Sequence, residues 1–176
     1  FVDTYVGELL DGLDKSKYAD NTIIVLWGDH GWHLGEKQHW RKQALWEDTT
    51  HVPFIVSYPK IIAQNSICEY PVSFIDIFPT LIDLAGIPKK EDLDGKSLKE
   101  LLINPSMKWN RPVLSTYGKG NHAVRSGKWR YIQYRDGSSE LYDHQNDPNE
   151  WYNLSGKESF EKVVQNLKKI IPSTEK

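Results

Sequence analysis

The residues with the most chemical promise stand at Gly28-Asp29-His30-Gly31, directly after the apolar run Thr22-Ile23-Ile24-Val25-Leu26-Trp27. Open α/β sheets place their ligand sites at the carboxyl ends of strands, so position alone favours function here. A carboxylate oxygen and an imidazole nitrogen on adjacent residues can turn toward one cation, and the flanking glycines let the backbone bend as that requires. The plainer alternative is an aspartate that accepts hydrogen bonds from backbone amides at a strand end. Residues 28 to 51 hold four of the six histidines and three tryptophans with no sustained period, so they read as one long loop loaded with polar groups and rings.

The elements that must position this loop follow from periodicity. Val2, Val6, Leu9, Leu10 and Leu13 recur at helical spacing and predict a surface helix from about Phe1 to Ala19, broken by Asp20-Asn21. The run from Thr22 to Trp27 is apolar on both faces and β-branched, as expected of a strand buried in a parallel or mixed sheet. Pro53 to Tyr58 reads as another strand, and Val72 to Ala85 as a helix interrupted or kinked at Pro79, with Gly86 as its C-cap. Asp92 to Trp109 is polar, with Gly95 and Asn104-Pro105, and reads as a linker. Beyond it, short runs at 112–116, 122–126, 129–134 and 140–142 alternate with turn signals and predict a small antiparallel sheet. Phe160, Val163, Val164, Leu167, Ile170 and Ile171 predict a helix over Glu158 to Ile171 that packs on that sheet. The fold class is therefore α/β, with residues 1–108 in one unit and 109–176 in a smaller α+β unit.

With 176 residues, 39% hydrophobic and 12% aromatic, the chain can bury a core, which excludes disorder and collagen-like structure. A net charge of −2 and the lack of a dense basic run give no reason to propose nucleic acid as a partner. No apolar stretch approaches the roughly 20 residues needed to span a bilayer. Cys68 is the only cysteine, so no intrachain disulfide can form, and a buried, inert thiol is expected. The start at Phe1, without a Met or a leader pattern, reads as a chain cut from something longer.

Asp29-His30-Gly31-Trp32-His33-Leu34-Gly35-Glu36, then His39-Trp40-Arg41-Lys42 and His51-Val52-Pro53-Phe54-Ile55, resemble the sulfatases of the alkaline phosphatase superfamily, in the branch with iduronate-2-sulfatase and bacterial carbohydrate sulfatases. Asp76-Ile77-Phe78-Pro79-Thr80-Leu81 is similar to that family's next helix. Leu141-Tyr142-Asp143, Asp147-Pro148, Glu150 and Asn153-Leu154 are similar to its C-terminal signature, so the resemblance covers nearly the whole chain. It implies part of an alkaline-phosphatase-like α/β sandwich followed by the small sheet with its packed helix. It implies further that Asp29 and His30 ligate one calcium ion and that Lys42 contacts the sulfate. Lys37 is a second candidate for that contact. His39, three residues before Lys42, is a candidate to bond the substrate or protonate the leaving group, and equally a loop-stabilising histidine. Glu36 is expected to bond loop backbone. His122, in Gly120-Asn121-His122-Ala123-Val124-Arg125, is a candidate substrate contact, and Trp32, Trp40 and Trp46 are expected to pack the loop onto its scaffold. The sequon Asn153-Leu154-Ser155 is too short to carry weight.

The resemblance also implies a formylglycine nucleophile, made from the first residue of a Cys-x-Pro-x-Arg or Ser-x-Pro-x-Arg motif. Cys68 precedes Glu69-Tyr70-Pro71 and does not fit. The nucleophile and the remaining calcium ligands are thus expected from an N-terminal half of the same enzyme, and these residues alone are expected to be inactive. A sulfated small molecule or glycan is the implied substrate, and a periplasmic, extracellular or lysosomal compartment is the implied setting. Two alternatives stay open: a phosphonate or phosphate ester hydrolase of the same superfamily, and a non-catalytic module that binds sulfated glycans.

Overall fold

The computed structural model describes residues 1–173. Helix α1 (Val2–Asp14) opens the chain and ends earlier than its periodicity predicts. The Ser16 amide donates to Leu13 O in a tighter turn and the Ser16 hydroxyl accepts the Tyr18 amide, so local bonds replace the helical ladder. Strand β1 (Ile24–Trp27) follows. The chain then makes a small hairpin from β2 (His33–Leu34) and β3 (Trp40–Arg41), a single turn α2 (Glu47–Thr50), and β4 (Phe54–Ser57). β4 pairs antiparallel with β1, Trp27 opposite Phe54. Among the described residues this is a two-stranded sheet, and Trp27 remains 48% exposed and Ile55 58%.

Helix α3 (Ile77–Leu84) starts two residues before Pro79. The proline therefore sits in the first turn, where its missing N–H would have had no helical acceptor, and the expected kink does not occur. Gly86 adopts φ +68°; its amide donates to Asp83 O and the next amide, of Ile87, to Ile82 O, which closes the helix in a Schellman turn. Asp76, fully buried, accepts from the Ser73 and Lys96 amides and pairs with Arg111. Thr80 accepts the Leu98 amide. Together with the buried Leu98 and with Leu101 of α4 (Lys99–Ile103), these contacts make the stretch after residue 92 a packed segment rather than a free tether.

The second sheet is an antiparallel meander of β5 (Val113–Thr116), β6 (His122–Ser126), β7 (Trp129–Gln133) and β8 (Ser139–Asp143). Adjacent residues face opposite sides. Val124, Tyr131 and Leu141 meet Leu167 of α5 (Glu161–Lys168), while Ala123, Ile132 and Tyr142 meet Leu45 and Trp46 of the long loop. Both faces are covered, which explains strand positions with almost no exposure. Burying each Leu or Val contributes about 1.5–3 kcal/mol. The helix is shorter than its stripe, because Glu158–Phe160 forms a 3-10 turn, yet Phe160, Ile170 and Ile171 still join the core. No helix among the described residues is long and apolar enough to cross a membrane. Cys68 is exposed, not buried, since it lies in an irregular segment that no helix or strand covers.

Candidate active site

The site begins where β1 runs out. The Gly28 amide donates to Pro53 O and the Gly31 amide to Thr49 O, so the Asp29-His30 step is clamped between the start of β4 and the end of α2. Gly31 packs so closely there that a Cβ would lie 1.9 Å from the Asp48 carbonyl oxygen. Asp29 is exposed, and among the described residues its Oδ1 accepts only the neighbouring His30 amide. His30 Nδ1 lies 2.9 Å from Gly31 O, which requires Nδ1 to carry the proton and leaves a lone pair on Nε2. That lone pair faces Lys42 Nζ at 2.8 Å, with Asp29 Oδ2 at 3.4 Å from the same nitrogen. The Lys42 ammonium here stands in for a cation, and its position marks the Asp29-His30 face as one that accepts positive charge.

Three residues in the β2–β3 hairpin, Lys37, Gln38 and Arg41, take positive φ, a conformation that side chains other than glycine rarely adopt and that gathers at functional loops. Glu36 Oε2 accepts the Leu34 amide at 2.6 Å, as expected, and that bond holds its carboxyl below the usual range. Lys37 bonds Glu150 O and Tyr142 Oη and lies over the Trp46 and Tyr142 rings. It therefore points at the second sheet, away from Lys42. The His39 ring stands edge-on to His33 and Trp46 and lines a cavity of about 220 Å³ with Gln43, Tyr117, Asn121 and Tyr134. His122 is buried, its Nδ1 2.9 Å from Thr116 Oγ1, while its neighbour Asn121 reaches the cavity. Of the tryptophans only Trp46 packs as expected, with Nε1 donating to Glu140; Trp32 and Trp40 are 49% and 63% exposed because the short hairpin has too little surface to cover them.

What seats the loop is a buried charge network that the sequence did not disclose. Glu47, at the first residue of α2, pairs with Arg125 and Arg130, and Arg130 Nε lies 2.7 Å from Glu150 Oε1. Arg130 also donates to Leu45 O, Glu150 accepts the Glu47 amide, and His144 Nε2 lies 2.8 Å from Glu150 Oε1. Burial alone would raise the Glu47 carboxyl; the two guanidinium groups outweigh it and hold the pKa below its ordinary value. Glu150, quoted above only as part of a signature, is thus the hinge between loop and sheet. Asp147 caps the Trp151 and Tyr152 amides, and Asn153 accepts the Leu141 amide, so the rest of that signature shapes the turn after β8.

Comparison with known proteins places the chain in a family. Residues 35–176 match the family described as N-sulphoglucosamine sulphohydrolase, C-terminal. A sulfatase of Formosa agariphila is 42% identical over 99% of this chain and 34% of its own length, and an N-acetylglucosamine-6-O-sulfatase of Bacteroides thetaiotaomicron is 31% identical over 99% and 34%. The chain thus spans about a third of the length of these curated relatives. Among solved structures, BT4656 in complex with its substrate D-glucosamine-2-N,6-O-disulfate superposes with a TM-score of 0.88 at 30% identity, covering 96% of this chain and 37% of that one. The chain belongs to the N-sulphoglucosamine sulphohydrolase C-terminal family, and with it to the sulfatases of the alkaline phosphatase superfamily.

Proposed function

We propose that this chain supplies the cation-binding and anion-contacting side of a site that hydrolyses sulfate esters of carbohydrates. The observation that carries the reading is the convergence of Asp29 Oδ2, the His30 Nε2 lone pair and Lys42 Nζ at the end of β1. Calcium fits the pair, because Asp29 offers a free carboxylate oxygen and the Gly31 carbonyl fixes the tautomer that leaves His30 Nε2 unprotonated. Asp29 and His30 would hold the ion together with oxygens from outside this chain, and when bound it supplies positive charge to polarise the sulfate oxygens. Lys42 is exposed at the tip of a flexible stem, able to leave His30 and meet a sulfate whose charge grows in the transition state. His39 faces the cavity, within the same loop, as the group to protonate the departing alcohol.

The nucleophile in this reading is a formylglycine outside this chain. The substrate class rests on the family and on the sulfated glucosamine bound by BT4656. Lys37 and His122 serve in this reading as neighbours that shape the site, Lys37 through Glu150 and His122 beside Asn121. We further propose that residues 1–108 and 109–176 are two units that meet at the loop, sharing the core around Leu45.

The test is sulfate release by the intact protein from glucosamine 6-sulfate and from an aryl sulfate, for the wild type and Lys42→Ala at two ionic strengths. The variant is expected to lose about 10²–10³-fold in kcat at both salts, as for a removed oxyanion donor. A wild-type kcat with a raised KM would remove Lys42 from the chemistry. Binding without sulfate release would favour a glycan-binding module, and faster cleavage of a phosphonate ester would favour the neighbouring hydrolase chemistry.

A further inference from the structure

His33 is fully buried, and neither ring nitrogen has a hydrogen-bond partner among the described residues. Leaving a buried polar group without a partner is costly, so an imidazole in that state calls for a ligand. The ring is held in place by the His33–Arg41 pairing of the hairpin and by edge contacts to His39 and Trp46. Burial lowers its pKa, which favours the neutral ring and its lone pair. Two carboxylates meet it. One ligand atom from each of His33, Glu36 and Asp48 lies within 4.8 Å of the others, and His33 Nδ1 is 3.5 Å from Asp48 Oδ2. Lys99, Arg111, Arg125, Lys128 and Arg130 pair with other carboxylates, and among the described residues no lysine or arginine forms an ion pair with Glu36 or Asp48.

We propose that His33, Glu36 and Asp48 form a second metal site, for a divalent transition ion of the zinc type, separate from the Asp29-His30 pair. Tetrahedral bonds of about 2.0–2.2 Å place ligands roughly 3.4 Å apart, close to the spacing already found between His33 and Asp48. Rotation of the two exposed carboxylates closes the remainder and gives the ion its route in from solvent. Three ligand atoms, one imidazole nitrogen and two carboxylate oxygens, suit a four-coordinate ion such as zinc or cobalt better than calcium, which takes about six to eight ligands. Glu36 is held in place for the task, since its Oε2 is tied to the Leu34 amide. The ion would staple the hairpin that precedes Lys42 to α2, whose backbone packs against Gly31.

The probe is cobalt(II), added to the intact protein after chelation and restoration of calcium, and read by its visible d–d absorption; zinc then competes for the same site. The expected result is one cobalt equivalent with an imidazole-ligated, low-coordinate spectrum, displaced by zinc. The Glu36→Gln/Asp48→Asn variant, altered only at exposed side chains and checked for folding by circular dichroism, is expected to bind more than about tenfold more weakly. Asp29→Asn is expected to bind cobalt as the wild type does, whatever becomes of its sulfatase rate, so failure here and failure of the proposed function are told apart. No bound cobalt in the wild type, unchanged affinity in the double variant, or loss of the band in Asp29→Asn would each overturn the second site.

Discussion

Strands β1 and β4 are more apolar in sequence than strands β6 to β8, yet they end in the more exposed environment. In the first pair Leu26, Trp27 and Ile55 keep 37%, 48% and 58% of their surface exposed, whereas Val124, Ile132 and Leu141 keep none. The second sheet is covered on one face by α5 and on the other by the long loop; the first has no such cover among the described residues. An apolar run therefore states that a strand is to be buried, not which segment buries it. The chemistry is divided unevenly as well. Asp29 and His30 stand at the end of the uncovered strands, while the charge network that fixes their loop is rooted in the covered sheet.

The largest effect that sharpens this contrast lies in the network. Arg130 is 3% exposed and holds both Glu47 and Glu150, so Arg130→Met leaves one buried and one half-buried carboxylate with too little positive charge. Denaturant unfolding is expected to show a loss of about 3–5 kcal/mol. A neutral outcome would mean that the loop is seated by Leu45 and Trp46 alone. Next comes packing itself. Leu141→Ala is expected to cost about 2–5 kcal/mol, against less than about 0.5 for Ile55→Ser in the same 176-residue chain. Equal losses would break the contrast between the two sheets.

Much of this was legible because it is local. The meander follows from alternation and glycine turns, α5 from its stripe, and the Asp29-His30 pair from its place after an apolar run. The departures are equally instructive. Pro79 breaks nothing because the helix starts only two residues before it, a boundary that periodicity does not set to that precision. Lys37, Glu47 and Glu150 could not be linked by reading, since Glu47 lies about a hundred residues from its partner and only the folded sheet brings them together. Trp32 and Trp40 looked like packing residues because aromatic side chains usually are; the hairpin that carries them has only two residues in each strand.

Gly31 tests whether the clamp on the Asp29-His30 step is as tight as the covered sheet. An alanine Cβ would stand 1.9 Å from Asp48 O, and backbone rather than a mobile side chain must give way. A displacement of about 1 Å in a catalytic loop can cost about 10²-fold in rate. Gly31→Ala in the intact protein is therefore expected to lose about that much in kcat/KM while its circular dichroism stays native. Wild-type activity would show that α2 can move aside, and that the loop is softer than its contacts suggest.

The smallest effect concerns the pH response of the same network. Burial pushes the Glu47 carboxyl up, but Arg130 and Arg125 more than offset this and hold it below its ordinary value of 4.5. A group depressed in the folded state contributes stability that is complete above its unfolded pKa and is lost as pH falls through its folded pKa. For one such group the slope cannot exceed about 1.36 kcal/mol per pH unit. Asp83 and Asp143 are depressed by their own partners and act in the same direction, so the wild-type curve alone does not isolate Glu47. Glu47→Gln does, because it removes that carboxyl and leaves the others. The gap in unfolding free energy between wild type and variant is expected to stay constant above about pH 5 and to narrow below 4.5, as the wild type gives up what the variant already lacks. A gap that stayed constant down to about pH 3, or widened, would show that Glu47 carries no depressed pKa and that the guanidinium groups do not outweigh its burial.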